Sequence, residues 1–254
     1  MFFTHCPLRC VYCQNRTIAE GEAGYALETG QLAEAFLLLE KQGALNVNCV
    51  TPTHYSLQIA DAAAEARALG LRLPIVWNTS GYELPEIVDW LSGTVDVYLA
   101  DFKYVDSGLA RRYSNAPDYP DVALRAITSM VEAAGAPAYD EYHGQRRMVS
   151  GVIVRHMVLP GAVEHSQRAL EALYGTFGDD VLYSIMNQYT PVMTESAYER
   201  FPELENRVNA DDYARVLDFA DGMGLEDYFW QDGPAAEESF IPRWDGTGLG
   251  EVLP

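Results

Sequence analysis

Three of the four cysteines in the chain stand close together near its start. Cys6, Cys10 and Cys13 follow the spacing Cys-x3-Cys-x2-Cys in the stretch HCPLRCVYCQN. Three thiolates held in one short loop can ligate three irons of a cubane 4Fe-4S cluster, which leaves the fourth iron without a protein ligand. The spacing therefore indicates an iron-sulfur centre with an open coordination position.

Two other uses of these cysteines stay open on the sequence. A structural zinc ion would need a fourth ligand, for which His5, Cys49 and His54 are candidates, and the chain would then be a zinc-binding interaction module. Inert thiols are the third use, but polar, turn-like residues surround the cysteines where a core strand would be apolar. A disulfide framework is not indicated, because three of the cysteines are too closely spaced to cross-link distant segments.

Composition excludes several classes of partner. The 254 residues include 37 Asp and Glu against 17 Lys and Arg, which gives a net charge of -20. Such a surface repels a phosphate backbone, so we expect no nucleic-acid partner and interpret the acidity as a solvated face. No run approaches the roughly 18 apolar residues of a membrane span, and no secretory signal is recognisable. We expect a cytoplasmic protein with no membrane partner.

The elements that must position the cysteines alternate along the chain. Short runs rich in β-branched residues predict strands at 45–50, 74–78, 95–101, 148–158 and 181–186. Helical periodicity places Leu32, Phe36 and Leu39 on one helix face, and it predicts further helices at 58–69, 84–91, 121–134, 163–174 and 210–223. Strands separated by helices indicate parallel pairing with right-handed crossovers.

This alternation predicts an α/β fold. Counting a short first strand at 1–3, about six strand-helix units are present, fewer than the eight of a closed barrel. We therefore expect a partial (β/α)6-type barrel, a parallel sheet with outer helices, built as one domain over residues 1–254. Glycine and proline predict a loop at 134–147 and an irregular tail at 233–254.

Polar residues follow the predicted strands, as they do where a barrel carries its active site. The strand ends read NVNCVTPTHY, WNTSGYE, VYLADFKY, VIVRHMVLPG and SIMNQYTP. Asp101 and Lys103 are candidates for a site, although the same two residues could form an ordinary charge pair. Alternation along a strand sends Arg155 and His156 to opposite faces, and we expect Arg155 to face the site. Cys49 is interpreted as a small core residue.

The cysteine spacing, with an aromatic residue before the last cysteine, resembles the signature of the radical S-adenosylmethionine (SAM) superfamily. From Phe2 to about Asp245, the strand ends resemble the pyruvate formate-lyase activating enzymes and their homologues without an assigned substrate. The resemblance implies that SAM chelates the open iron, and that an electron from the reduced cluster splits SAM to give a 5'-deoxyadenosyl radical. That radical would abstract hydrogen from a substrate.

The resemblance also implies the substrate and the partners. In the activating enzymes the substrate is a backbone glycine of a glycyl radical enzyme, so a protein substrate is expected. A small molecule or another protein side chain is the alternative. The electron would come from a donor such as a flavodoxin or a ferredoxin.

The resemblance carries SAM contacts to individual positions of this chain. Asp101 and Lys103 would organise the methionyl part of SAM, and Tyr12 would lie near the adenine. The sequence departs from the relatives after its first long strand, where VTPTHY replaces their Gly-Gly-Glu-Pro. The remaining expected contacts are Thr51, Thr53 and His54 toward the amino group, Asn78 and Ser80 toward the ribose or carboxylate, and Arg155 and Gln188 near the same cavity.

Overall fold

The structure, a computed structural model, describes residues 1–231 together with Gly248 and Val252. Its main feature is a sheet in the order β1-β2-β3-β5-β6-β7, in which neighbouring strands run parallel and β4 pairs antiparallel with β5. The strands are β1 (Val47–Val50), β2 (Ile75–Thr79), β3 (Val97–Asp101), β4 (Ala138–Tyr142), β5 (Gln145–Met157), β6 (Leu182–Met186) and β7 (Tyr228–Phe229).

Helices alternate with these strands, and most of them have recognisable sequence signals at their ends. Asp106 caps α5 by accepting a hydrogen bond from the Leu109 N–H, Asn209 caps α9 in the same way, and Pro85 occupies the first turn of α4. The helices are α1 (Arg16–Ala19), α2 (Thr29–Lys41), α3 (Ser56–Ala68), α4 (Pro85–Trp90), α5 (Ser107–Ser114), α6 (Tyr119–Ala134), α7 (Val163–Phe177), α8 (Glu195–Tyr198) and α9 (Ala210–Gly222), with short 3-10 turns at Thr53–Tyr55, Gly178–Asp180 and Pro202–Leu204.

The architecture confirms the predicted α/β fold with a parallel sheet and surrounding helices. The predicted short first strand is present as a single parallel bridge between Phe2 and Val50. The predicted irregular tail at 233–254 lies outside the described residues, apart from Gly248 and Val252. Within the described part of the chain, no helix is long and apolar enough to cross a membrane.

The two faces of the sheet have different surroundings. On the helical face, the Tyr98 hydroxyl donates to the Val88 carbonyl of α4, and the His156 ring contacts the Ser166 hydroxyl of α7 at 3.0 Å. Tyr98 and His156 are buried, whereas their neighbours Leu99 and Arg155, which point to the other face, are only half-buried. The face away from the helices is therefore where polar side chains can meet a ligand.

The prediction of a loop at 134–147 was wrong. This segment forms an antiparallel hairpin of β4 and β5, closed by the two residues His143 and Gly144, whose φ angles of 52° and 74° suit a tight hairpin turn. The strands carry polar pairs in place of an apolar alternation. Arg147 Nε donates to Asp140 Oδ1 at 2.8 Å, and its guanidinium lies 3.9 Å from the centre of the Tyr142 ring. Charged side chains on both faces hid the strand periodicity.

Candidate functional site

Charged and amide side chains meet where the parallel strands β2, β3 and β5 end. The sheet register pairs Asp101 with Arg155. Arg155 Nη2 lies 2.7 Å from Asp101 Oδ1 and donates to Asn78 Oδ1 at 2.7 Å, while Lys103 Nζ donates to Asp101 Oδ2 at 2.6 Å. The structure thus brings four of the sequence-predicted site residues into one cluster, which we call the strand-end charge cluster.

The strand-end charge cluster carries one excess positive charge. Burial opposes ionisation of Asp101, but the nearby Arg155 and Lys103 outweigh it and lower the pKa of this carboxyl group. Burial likewise opposes the charge on Lys103, yet Asp101 raises the pKa of the ammonium group above its usual value. One carboxylate therefore faces two cations, in a chain whose overall charge is strongly negative.

Several polar atoms at this strand edge have no partner among the described residues. Ser80 Oγ and Arg155 Nε are buried without a hydrogen bond. Asp101 Oδ1 also lacks a hydrogen bond, although its charge is balanced by the ion pair with the Arg155 guanidinium. Buried polar groups in proteins are nearly always paired, so these free donors and acceptors point to a polar ligand at this edge.

The segment after β1 is held by its own side chains. Thr51 has a left-handed φ of 57°, and its N–H donates to the Asn78 carbonyl at 2.9 Å. Thr53 Oγ1 donates to Glu83 Oε1 at 2.7 Å, and His54 Nε2 lies 2.5 Å from the Thr4 carbonyl. Thr53 and His54 therefore brace the loop through Glu83 and Thr4.

The segment 4–15, which we call the cysteine loop, lies across the same end of the sheet. It is tied to three elements that follow strands. Besides the contact of Thr4 with His54 after β1, the Val11 N–H donates to the Tyr113 carbonyl in α5 at 2.8 Å, and Gln14 Nε2 donates to the Gln188 carbonyl after β6 at 2.6 Å. These ties place the loop over the strand ends that carry the charge cluster.

The three clustered thiols are half-buried, unlike the fourth. Burial raises the pKa of Cys6 to about 11 and also raises that of Cys13, while the positive charge of Lys103 opposes both shifts. A metal bound by Cys6 and Cys13 would therefore displace protons from these two thiols. Cys49 is wholly buried within β1 and has a pKa raised to about 12, which confirms that it is a core residue.

A single metal ion and a cubane cluster make different geometric demands. Among the described residues, no three His, Cys, Asp or Glu side chains converge as ligands of one metal ion would. A 4Fe-4S cluster places each cysteine on a different iron, so its ligands do not converge on one point. The arrangement of Cys6, Cys10 and Cys13 in one half-buried loop fits this second demand.

Tyr12 and Gln188, two further predicted site residues, lie beside the cysteine loop. Tyr12 is buried, and its hydroxyl lies 2.6 Å from that of Tyr104. Its ring meets the ring of Tyr189 edge-on at 6.2 Å. Gln188 is exposed, and its backbone carbonyl accepts the hydrogen bond from Gln14.

Sequence reasoning missed Glu83, an acid buried to 2% exposure behind the strand ends. Its Oε1 accepts hydrogen bonds from Thr79 Oγ1 at 2.5 Å, Thr53 Oγ1 at 2.7 Å and Trp77 Nε1 at 3.3 Å, whereas Oε2 has no partner among the described residues. The available signal was an acid that follows a buried strand through the turn SGY. Glu83 joins the end of β2 to the loop after β1.

Tyr119 at the start of α6 was missed as well. Its hydroxyl lies 2.7 Å from the Ser80 carbonyl and 2.8 Å from the Asp101 carbonyl, and it accepts from the Lys103 N–H at 2.9 Å. A Cβ on Gly81 would lie 2.3 Å from the Asp101 carbonyl, so only glycine fits there. These contacts fix the spacing between the ends of β2 and β3.

We expect replacement of Glu83 by glutamine to change how stability depends on pH. Burial raises the pKa of Glu83, although hydrogen bonds from Thr79, Thr53 and Trp77 oppose this effect. As pH rises, Glu83 ionises in the unfolded chain before it ionises in the fold. The contribution of Glu83 to stability is therefore complete below its ordinary pKa and is lost as pH rises toward the raised value. Across that interval, the free energy of unfolding of wild type relative to Glu83→Gln should fall by about 1.4 kcal/mol for each pH unit.

Urea unfolding between pH 4 and pH 8 measures this difference. The control is Glu86→Gln at an exposed position of α4, which should keep the wild-type pH dependence. Parallel curves for wild type and Glu83→Gln over the whole range would contradict the prediction.

Comparison with known proteins decides the family. A model of the Radical SAM superfamily matches residues 1–170. The chain belongs to this superfamily. Membership accounts for a cysteine loop that lies over polar strand ends.

Other comparisons give one relative by sequence and two solved structures of similar fold. The uncharacterized protein MJ0674 of Methanocaldococcus jannaschii is 25% identical over 234 residues, and the match covers 89% of this chain and 62% of that protein. The crystal structure of SuiB from Streptococcus suis bound to precursor peptide SuiA superposes with a TM-score of 0.61 at 14% identity, covering 91% of this chain and 48% of that one. A radical SAM methyltransferase from Sphaerobacter thermophilus gives 0.58 at 13%, covering 92% and 67%. At these identities the two structures establish a shared fold.

Proposed function

We propose that this chain holds one 4Fe-4S cluster at Cys6, Cys10 and Cys13 and cleaves SAM reductively to abstract hydrogen from a substrate. The observation that carries the proposal is the strand-end edge beneath the cysteine loop, which has an excess positive charge and polar atoms without partners among the described residues. SAM is an amino acid derivative with a carboxylate and an amino group, so its methionyl part matches such an edge.

The residues present fit this cofactor pair. Lys103 and Arg155 offer cations to the methionyl carboxylate. Ser80 Oγ, which has no hydrogen-bond partner among the described residues, offers an oxygen to an amino group or a hydroxyl. Asn78 holds the Arg155 guanidinium in place at 2.7 Å. The other residues expected at the SAM site, Tyr12, Thr51, Thr53, His54 and Gln188, would line or brace it from the cysteine loop and from the segments after β1 and β6.

Bound together, a reduced cluster and SAM would supply the radical chemistry that removes a hydrogen atom from the substrate. The chain's own residues bind, orient and shield. Asp101 keeps two cations at fixed positions, and Tyr119 fixes the strand ends that carry them. Buried Tyr12 and Tyr189 exclude water beneath the cysteine loop, where water would compete for the ligand's polar groups.

The leading candidate for the substrate is a backbone glycine in a partner protein, as in the activating enzymes that the strand ends resemble. The electron would then come from a flavodoxin or ferredoxin in the cytoplasm. Against this candidate, VTPTHY stands where those enzymes carry Gly-Gly-Glu-Pro. The resemblance that supports this candidate therefore lies in the strand ends from Asn78 onward.

A side chain of a peptide or a small molecule is the second candidate. It is favoured by the likeness of fold to SuiB, whose structure contains a precursor peptide. Fold likeness alone does not carry a substrate, because one fold hosts many reactions. The two candidates therefore need to be separated by the source of the abstracted hydrogen.

The test is anaerobic reconstitution with iron and sulfide, followed by reduction and an assay for 5'-deoxyadenosine. We expect a brown iron-sulfur protein that forms deoxyadenosine from SAM. A glycyl radical signal in electron paramagnetic resonance, after mixing with a glycyl radical enzyme, would support the first candidate. Transfer of deuterium into deoxyadenosine from a labelled peptide or metabolite, without that signal, would support the second. Zinc in place of iron and sulfide would overturn the proposal.

A further inference from the structure

A chain of hydroxyl groups reaches one of the cysteines of the loop. Ser114, the last residue of α5, donates its Oγ–H to Cys10 Sγ at 3.0 Å. The Tyr104 hydroxyl lies 2.7 Å from Ser114 Oγ, and the Tyr12 hydroxyl lies 2.6 Å from that of Tyr104. Ser114, Tyr104 and Tyr12 are exposed to only 2%, 0% and 5% respectively. The series therefore runs through the protein interior.

The direction of these hydrogen bonds follows from the hydrogens available. A cysteine that ligates iron is a thiolate, which accepts but cannot donate. Ser114 has one hydroxyl hydrogen and gives it to the sulfur, so Tyr104 must donate to Ser114 and Tyr12 must donate to Tyr104. A tyrosine hydroxyl keeps its hydrogen at neutral pH, because its ordinary pKa is about 10. All three hydrogens point toward Cys10.

The end of α5 is built to hold Ser114 at this position. Asn115 ends the helix with a left-handed φ of 54°. Tyr113, the residue before Ser114, accepts the Val11 N–H of the cysteine loop through its backbone carbonyl at 2.8 Å. Helix and loop are thus joined next to Cys10 through their backbones. The serine hydroxyl is fixed from the helix side and from the tyrosine side together.

We propose that Ser114, oriented by Tyr104 and Tyr12, raises the reduction potential of the iron-sulfur cluster by hydrogen-bonding its Cys10 ligand. The inference rests on the proposed function, because it requires the cluster at this loop. Reduction adds one electron and no proton, and it increases the negative charge on the sulfur ligands. A donor to such a sulfur stabilises the reduced form more than the oxidised form, and hydrogen bonds to sulfur are among the factors that set cluster potentials.

Hydrogen bonds in series strengthen one another, so the two tyrosines have a graded role. Tyr104 polarises the hydroxyl that touches the sulfur, and Tyr12 acts only through Tyr104. Neither tyrosine contacts Cys10 in the hydrogen-bond series. Ser114 and the tyrosines are therefore positioning residues, and their effect should appear in the potential of the cluster before it appears in the chemistry of the substrate.

The experiment is a potentiometric titration of the reconstituted protein, followed by electron paramagnetic resonance of the reduced cluster without SAM. We expect Ser114→Ala to lower the equilibrium constant for one-electron reduction about tenfold, which corresponds to about 59 mV. Tyr104→Phe leaves Ser114 in place and should lower it by a smaller factor. The control is Ser166→Ala, which removes an equally buried hydroxyl whose partner is His156. This control should not move the potential.

The outcomes separate this inference from the proposed function. A wild-type protein that assembles no iron-sulfide cluster would overturn both. A normal cluster in wild type and Ser114→Ala, with the same potential, would overturn the inference alone. Should Ser114→Ala assemble no cluster, Tyr104→Phe decides, and an unchanged potential in that variant overturns the inference.

Discussion

Replacing Cys10 by alanine is expected to abolish iron binding and to reduce deoxyadenosine formation to background. Cys10 is one of three thiols in a half-buried loop, and a cubane cluster needs all three protein ligands once its fourth iron is reserved for SAM. Loss of an outer partner of a metal ligand already costs about 10- to 100-fold in affinity or activity. Loss of the ligand itself should exceed about 100-fold. Iron and sulfide analysis after anaerobic reconstitution measures the first effect.

Cys49→Ala is the matched control for this loss. Cys49 lies within β1, is wholly buried and packs in the hydrophobic core. Its replacement removes a sulfur of the same size and should cost about 1 kcal/mol of stability. Iron content and SAM cleavage should stay at the wild-type level. Full iron content in Cys10→Ala, or equal loss of iron in both variants, would contradict assignment of the cluster to this loop.

The strands and most helices could be predicted because their residues carry the signal locally. The buried faces of β1, β2 and β3 are apolar runs, and the predicted ends differ from the observed ones by at most two residues. Two kinds of element lacked this signal. The β4–β5 hairpin carries charged pairs such as Asp140 with Arg147, and α5 is short, with Arg111 and Arg112 in its last turns. The hairpin is therefore held by charged pairs in place of an apolar face, and α5 is held by a distant contact of Arg112 with Glu203.

The strand-end charge cluster could also be anticipated. Parallel strands end at one edge of a sheet, so residues that follow different strands, such as Asp101 and Arg155, are expected to be neighbours. The partners that connect them could not be anticipated in this way. Ser114 lies 104 residues from Cys10 and Glu83 lies 30 residues from Thr53, and no local pattern records either contact. Packing of α5 and of the turn after β2 determines both.

The sequence suggested that Thr53 and His54 contact SAM, and the structure shows both side chains in contacts with other parts of the chain. Thr53 donates to Glu83, and His54 meets the Thr4 carbonyl at the start of the cysteine loop. In the described structure these side chains therefore connect the loop after β1 to its neighbours. Their predicted contact with SAM stays a prediction, as does that of Thr51.

Replacing Asp101 by asparagine should destabilise the fold and weaken SAM binding together. Asparagine keeps the shape of the side chain but leaves Lys103 and Arg155 facing each other without the carboxylate. Removal of one partner from a buried ion pair costs about 3 to 5 kcal/mol. We expect about 3 kcal/mol here, because the three side chains keep 16% to 21% of their exposure.

The pH dependence of this loss has a definite sign. The pKa of Asp101 is lowered in the fold, despite burial, by Arg155 and Lys103. Its contribution to stability is therefore present above its unfolded pKa and is lost as pH falls through the folded value. Wild type and Asp101→Asn should differ fully at pH 7 and converge in acid. Urea unfolding at pH 7 and in acid measures the difference in the free energy of unfolding between the two proteins.

The same substitution separates a structural role from a ligand-binding role of the strand-end charge cluster. Asp140→Asn on the β4–β5 hairpin is the control, because it removes an identical charge from Arg147 at a half-exposed position away from the strand ends. It should cost less stability and leave the affinity for SAM unchanged. Asp101→Asn should weaken SAM binding to the reconstituted protein about tenfold, equivalent to about 1.4 kcal/mol. If Asp101→Asn lost stability but kept full SAM affinity in calorimetric titration, the carboxylate would organise the strand ends without organising the ligand.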